Sequence, residues 1–250
     1  MAIHRVVAAV AALLLPLMAA QAQAAEIKVV SSTALKAVLE ELCPQFEKAT
    51  ENKVVLTLAP AAVLKAQIDQ GAAFDVAILT AGLNDSLAGS GKIVSAPRVT
   101  VARAGMGVAV RKGAAKPDIS TTEALKRALL NAKSIGFNGQ GASRSTFEAL
   151  FTKLGIADAL KSKITLLTTG APEGVAKGVV EIGLGPISET LAEPDADLVG
   201  PLPADIQSYL VFTAGVSAGS KDADAANALI KFLAAPAAAS VLKAKGMEPG

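Results

Sequence analysis

The stretch Ile27-Lys28-Val29-Val30-Ser31-Ser32-Thr33-Ala34-Leu35 carries an apolar strand into three small hydroxyl residues and then into a helix. Behind it, Ala34-Leu35, Val38-Leu39, Leu42 and Phe46 recur at helical spacing. Lys53 to Leu58 reads as the next strand, Val63 to Gln70 as a helix and Phe74 to Leu79 as a third strand. This βαβαβ order predicts an α/β fold with a parallel sheet, covered on both faces by right-handed crossovers.

Met106 to Val110 opens a second series in the same style. Ser120-Thr121-Thr122-Glu123 has the spacing of a capping box and predicts a helix from there through Leu130. Ser134 to Phe137 reads as a strand, and Ser145-Thr146-Phe147-Glu148, a second capping-box pattern, starts a helix running to Leu154. Ile164 to Thr168 and Glu181 to Gly185 are further strands, with a short helix from Pro172 to Val180 between them. Tyr209 to Val216 reads as a strand, and Ala223 to Leu233 and Ala237 to Lys245 as closing helices.

Composition narrows the function. The 250 residues carry 24 Lys and Arg against 22 Asp and Glu, a formal charge of +2, and only 3% are aromatic, with Tyr209 as the single tyrosine and no Trp. A basic nucleic-acid binder with stacking platforms is excluded on both counts. Residues 1–25 read as a signal peptide: Arg5, an apolar run from Val6 to Ala20, then Ala22-Gln23-Ala24, with cleavage expected after Ala24 or Ala25 and export to the periplasm. The only histidine, His4, lies inside that segment, so the mature chain, with 23 basic and 22 acidic residues and a net charge of +1, has none. Ser-His-Asp triads, Cys-His pairs and His-ligated zinc are thereby ruled out, and no metal or cofactor is expected. Cys43 is the only cysteine, so no internal disulfide can form; within its helical pattern it reads as a small buried core thiol.

Ligands of open α/β sheets lie beyond the carboxyl ends of the strands, which directs attention to the strand-to-helix turns. Ser31-Ser32-Thr33 suits an anion held by hydroxyls and free N–H groups, and suits plain N-capping equally. Ala59-Pro60-Ala61-Ala62 offers backbone donors only, and Thr80-Ala81-Gly82 is the third turn. Asn138-Gly139-Gln140-Gly141-Ala142-Ser143-Arg144-Ser145 is Gly-rich but matches neither the P-loop nor the dinucleotide glycine spacing. Arg144 at a helix start adds to the positive end of the dipole, which is unfavourable unless an anion answers both; a solvated arginine is the plainer alternative. Thr169-Gly170-Ala171-Pro172 and Gly185-Pro186-Ile187-Ser188 complete the set.

In order and spacing these segments resemble the periplasmic solute-binding proteins of the molybdate-binding type, which supply ABC importers. The resemblance rests on Val29 to Leu35, on Ala66-Gln67-Ile68-Asp69-Gln70-Gly71 followed by Phe74-Asp75-Val76, and on Glu181-Ile182-Gly183-Leu184-Gly185 before Ile187-Ser188-Glu189. Phe232-Leu233 with Pro236-Ala237-Ala238, and the ending Lys245-Gly246-Met247-Glu248-Pro249, also fit that group. It implies two α/β lobes, 26–100 with 206–250 and 101–205, joined by hinge crossings near Arg98 to Ala104 and near Pro201 to Ser208. It further implies a ligand cleft between the lobes, a small anionic ligand, ABC importer membrane subunits as partners and a monomeric protein.

At the expected ligand positions the chain departs from the family's hydroxyl and tyrosine residues, placing Ala34, Ala61 and Pro186 there, none of which can donate from its side chain. The fork of Arg144 suits a carboxylate, with phosphate and sulfate as alternatives. The expected ligand set is therefore Ser31, Ser32, Thr33, Ala61, Thr80, Ser143, Arg144, Ser145 and Gly170, with Arg103 on the hinge crossing held in reserve. The resemblance extends to periplasmic aconitate isomerases, whose chemistry needs a base to move a proton between two carbons. Without histidine the candidates are a lysine, a carboxylate such as Glu173, Tyr209 or a serine activated near Arg144.

Overall fold

The computed structural model describes residues 24–94 and 98–250, so the signal-peptide reading of residues 1–23 lies outside the described residues. Strand β1 (Glu26–Ser32) pairs in parallel with β2 (Lys53–Ala59) and β3 (Val76–Thr80). Helix α1 (Lys36–Thr50) and α2 (Ala61–Asp69) make the two crossovers, as the βαβαβ reading expects. Val76-Ala77-Ile78-Leu79 is buried throughout, as a strand covered on both faces must be, while the edge strand β2 alternates exposed and half-buried residues. α1 buries Val38, Leu39, Leu42, Cys43 and Phe46 on one face, and Phe46 meets Phe232 with ring centroids 5.6 Å apart. Burial pushes the Cys43 thiol up to about 12, with Glu47 adding to the effect, so it is an inert core group.

Helix α3 (Ala81–Gly89) follows β3 and leads to β4 (Val99–Arg111), the longest strand. Val99 to Gly105 of β4 pairs antiparallel with β9 (Tyr209–Val216) in the first sheet, and Met106 to Ala109 pairs antiparallel with β7 (Ile182–Pro186) in the second. The two largest of four apolar clusters among the described residues sit on either side of this change of partner. One gathers Leu35, Phe46, Phe212 and Leu229, the other Leu125, Phe137, Phe147 and Phe151. Each such side chain contributes about 1.5–3 kcal/mol relative to leaving it in water.

In the second sheet β5 (Ile135–Asn138) lies between β6 (Ile164–Leu167) and β7, parallel to both. Helices α4 (Thr122–Asn131), α5 (Arg144–Lys153), α6 (Ala157–Leu160), α7 (Ala171–Ala176) and α8 (Ile187–Leu191) cover it, and β8 (Ala196–Pro201) pairs with β4. The chain then returns to the first sheet through β9 and ends with α9 (Ala223–Leu233), a 3₁₀ turn at Pro236–Ala238, α10 (Ala239–Ala244) and β10 (Met247–Pro249) on β4. Among the described residues no single helix is long and apolar enough to cross a membrane.

Both capping-box expectations are corrected by one residue or more. At α4 the cap is Thr121, whose Oγ1 accepts from the Ala124 N–H at 3.1 Å, because Asp118 Oδ1 takes both the Ser120 hydroxyl (2.7 Å) and its N–H (2.9 Å). At α5 a continuous turn, with the Arg144 N–H donating to the Gly141 carbonyl at 3.3 Å, starts the helix at Arg144. Ser143 then occupies the cap position in a helical conformation without a side-chain capping bond, and Ser145 lies in the first turn. The Pro172 to Val180 helix is shorter than expected, ending before Gly178 at φ +70°.

A cleft closed by cross-sheet bonds and centred on Glu189

Six strand-to-helix turns from the two sheets converge on one cleft. The first sheet presents Ser32 to Ala34, Pro60 to Ala62 and Thr80; the second presents the Asn138 to Arg144 loop, Thr168 to Gly170 and Pro186 to Glu189. Three hydrogen bonds close it. The Ala62 N–H donates to the Gln140 carbonyl (3.3 Å), the Ser188 hydroxyl to the Ala34 carbonyl (2.9 Å) and the Thr33 hydroxyl to Glu189 Oε1 (3.1 Å).

At the centre lies a cavity of about 10 Å³, lined by Ser32, Thr33, Asn138, Ser143 and Glu189 among others, room for about one water. Two larger cavities adjoin it through shared walls. One of about 400 Å³ shares Gly141 and Ala142 with the centre and is lined by Ala61, Lys65, Thr80, Arg144, Ser145 and Glu148. The other, about 360 Å³, shares Thr33, Asn138 and Glu189 and extends to Lys36, Thr169, Gly170 and Glu173. A larger concavity, about 720 Å³ between Lys116 to Ser120 and Gly200 to Pro203, shares no lining residue with these three.

Within this frame the expected site residues separate. Ser32, Thr33 and Ser143 reach the central cavity, and Ser32 Oγ accepts from the Ala34 N–H at 3.4 Å. Ser31 does not: it is fully buried and its hydroxyl donates to the Ile78 carbonyl (3.0 Å), stitching β1 to β3. Arg144 lines the outer cavity instead of the centre, with Nε on Glu148 Oε1 (2.8 Å) and a terminal NH on the Gly139 carbonyl (3.1 Å). Ala61, Thr80 and Ser145 lie beside it. Gly170 lines the opposite cavity, where a Cβ would stand 3.4 Å from Glu189 Oε2. Arg103 is not brought to the cleft at all; it pairs with Glu248 of β10 and lies 5.2 Å from the centroid of the Tyr209 ring.

Sequence reasoning passed over several cleft residues, Lys65 of the outer cavity among them, and two of them line the centre. Asn138, at the end of β5, is buried, with Oδ1 accepting from the Gln140 N–H at 2.8 Å. Glu189 is partly buried in the first turn of α8, and desolvation pushes its carboxyl above the usual range against the opposing pull of the Thr33 hydroxyl. In sequence a glutamate at that position reads as a complement to the helix dipole, so the signal pointed to structure.

Two α/β lobes meeting over a cleft of strand ends make this a two-lobed fold of the periplasmic-binding-protein kind. Residues 27–248 match the family of bacterial extracellular solute-binding proteins, to which the chain belongs, and its type is the molybdate-binding one. The aconitate isomerase of Pseudomonas sp is 30% identical over 241 residues, 94% of this chain and 91% of that protein. The molybdate-binding protein ModA of Azotobacter vinelandii is 30% identical over 239 residues, 92% of each chain. The fold matches the structure of the Azotobacter vinelandii periplasmic molybdate-binding protein with a TM-score of 0.76 at 22% identity, covering 90% of this chain and 99% of that one.

Proposed function

We propose that the protein is the monomeric periplasmic ligand-capturing component of an ABC importer, and that its ligand is a small polycarboxylate. The carrying observation is the chain of adjoining cavities: a hydroxyl- and amide-lined centre leads to an outer cavity where Lys65 and Arg144 face in from opposite sheets. The centre as it stands has room for about one water, so a ligand would enter with the lobes parted; one carboxylate at its hydroxyls and another at those cations would then suit this elongated arrangement better than a single tetrahedral ion. Ala34, Ala61 and Pro186 at the expected donor positions support the same reading. The lobes would be 26–100 with 206–250 and 101–205, and the change of partner between Gly105 and Met106 favours a first crossing a few residues later than 100. Closure over ligand would shift the population toward the form an importer recognises.

A thermal-shift panel of molybdate, tungstate, sulfate, phosphate, citrate and the aconitates tests the ligand class, because a ligand bound only by the folded protein raises its melting temperature. Carboxylates are expected to give the larger shifts; a shift from molybdate or tungstate alone overturns the reading.

A second reading has its own support. Glu189 is a carboxyl in the cleft with a raised pKa, and a relative 30% identical over nearly the whole chain is an aconitate isomerase. In this reading the protein moves a double bond in the captured polycarboxylate. Incubation with trans-aconitate and detection of the cis isomer is its direct test.

A further inference from the structure

We propose that Glu189 is the proton-carrying group of the cleft, taking a proton from the saturated carbon beside the double bond of an unsaturated polycarboxylate and returning one to the far carbon. The inference rests on the second reading above and supplies the base that reading needs.

Position selects Glu189. It lines both the central cavity and the 360 Å³ cavity beside it, where a ligand carbon next to a centrally held carboxylate would lie. The Thr33 hydroxyl occupies Oε1, and Oε2 lies toward Gly170 and Gly185, where added Cβ atoms would stand 3.4 and 3.8 Å from it. Both would be ordinary contacts, so the two glycines border the oxygen without crowding it.

The charged groups lining the same cavity are Lys36, Glu173 and Glu193. Lys36 faces Glu40 at 3.9 Å, and Glu173 is paired with Lys177. Tyr209 stands at the hinge beside Arg103. On the other side of the centre, Lys65 is paired with Asp69 and Arg144 with Glu148. Desolvation makes the Glu189 carboxylate a stronger base than an exposed one.

The step balances without a co-reactant. Oε2 takes the proton as the C–H bond breaks, its electron pair forms a new double bond, and the old double bond opens onto the conjugated carboxylate. The Glu189 carboxyl then protonates the far carbon, so the enzyme ends as it began. Ser32 and Ser143 line the central cavity, where their hydroxyls could donate to the carboxylate that takes up the extra charge.

The test uses trans-aconitate in D₂O, followed by proton NMR, with thermal shift measured on the same samples. The wild type is expected to form cis-aconitate and to incorporate deuterium. Glu189→Gln should slow both by about 100-fold or more while still melting cooperatively, and Glu189→Asp should recover part of the rate. A ligand-induced thermal shift in the wild type with no exchange overturns this inference and leaves carboxylate capture standing. Exchange undiminished in Glu189→Gln overturns it and leaves isomerisation standing. No thermal shift from any carboxylate overturns the ligand class and the inference together.

Discussion

The side-chain amide of Gln207 grips the backbone of Met106 from both sides: Oε1 accepts from the Met106 N–H and Nε2 donates to the Met106 carbonyl, each at 3.1 Å. Met106 is the first residue of β4 to pair with the second sheet, and Gln207 lies on the return connection before β9. The two passages between the sheets are thus tied to each other, and bending one must move the other. The Ser208 carbonyl accepts from the Met106 N–H and the Leu202 N–H donates to its carbonyl, which reinforces the tie.

Gln207→Ala should loosen this tie, removing two hydrogen bonds worth about 1 kcal/mol each. Small-angle scattering without ligand is expected to show a more open average form, and calorimetry a weaker affinity. An unchanged radius and affinity would place hinge control elsewhere.

Ser31 and Ser32 are neighbours with opposite expected effects. Ser31→Ala should lower stability by about 1 kcal/mol by removing the bond to the Ile78 carbonyl, with ligand affinity retained. Ser32→Ala and Ser143→Ala should instead weaken ligand binding by about 1 kcal/mol each. Denaturant unfolding and calorimetry on the three variants separate the two effects.

Arg144→Ala is expected to weaken a polycarboxylate by about 1–2 kcal/mol and a monocarboxylate far less, since the guanidinium reaches only the outer cavity and already engages Glu148. Arg103→Ala should leave both affinities unchanged, because its partners are Glu248 and Tyr209. Calorimetry with citrate and acetate distinguishes the cases.

The raised pKa of Glu189 gives a signed pH dependence. The folded protein holds that proton to higher pH than the unfolded chain, whose carboxyl titrates near 4.5. Between those two pKa values the folded state binds more protons, so this carboxyl makes stability fall as pH rises, and below both values its penalty is absent. Melting temperature across pH 4 to 8 should decline more steeply in the wild type than in Glu189→Gln; parallel curves would show that the carboxyl is not desolvated. Lys36, Glu173 and Glu193 line the same cavity and are present in both proteins, so the difference isolates Glu189.

The parallel β1-β2-β3 unit was legible because its strands are short segments rich in Val, Ile and Leu and the helix behind β1 keeps a 3.6-residue stripe. β9 and α9 coincide with the residues read as strand and helix, Tyr209–Val216 and Ala223–Leu233. Elements held by long-range partners escaped. α3, with two glycines, an Asn and an Asp in nine residues, is anchored by Asn84 Nδ2 donating to the Thr213 carbonyl (2.7 Å) and hydroxyl (3.0 Å). β8 contains Asp, Gly and Pro and exists as a strand because β4 offers it a ladder.

The sequence alone therefore determined the α/β class, the turns that could hold a ligand and the chemistry excluded by the lack of any histidine after His4. Those follow from local patterns and from composition, which need no knowledge of what lies across the cleft. Only the tertiary structure decided which hydroxyls line the cleft, since Ser31 and Ser32 are adjacent on a strand whose side chains alternate, one spent on Ile78 and the other at the cavity. It also decided that Arg144 lines the outer cavity, that Arg103 is absorbed by Glu248, and that Glu189 meets Thr33 across 156 residues of chain. Desolvation is a property of what surrounds a group, and for Glu189 that surrounding exists only once the two sheets have closed on each other.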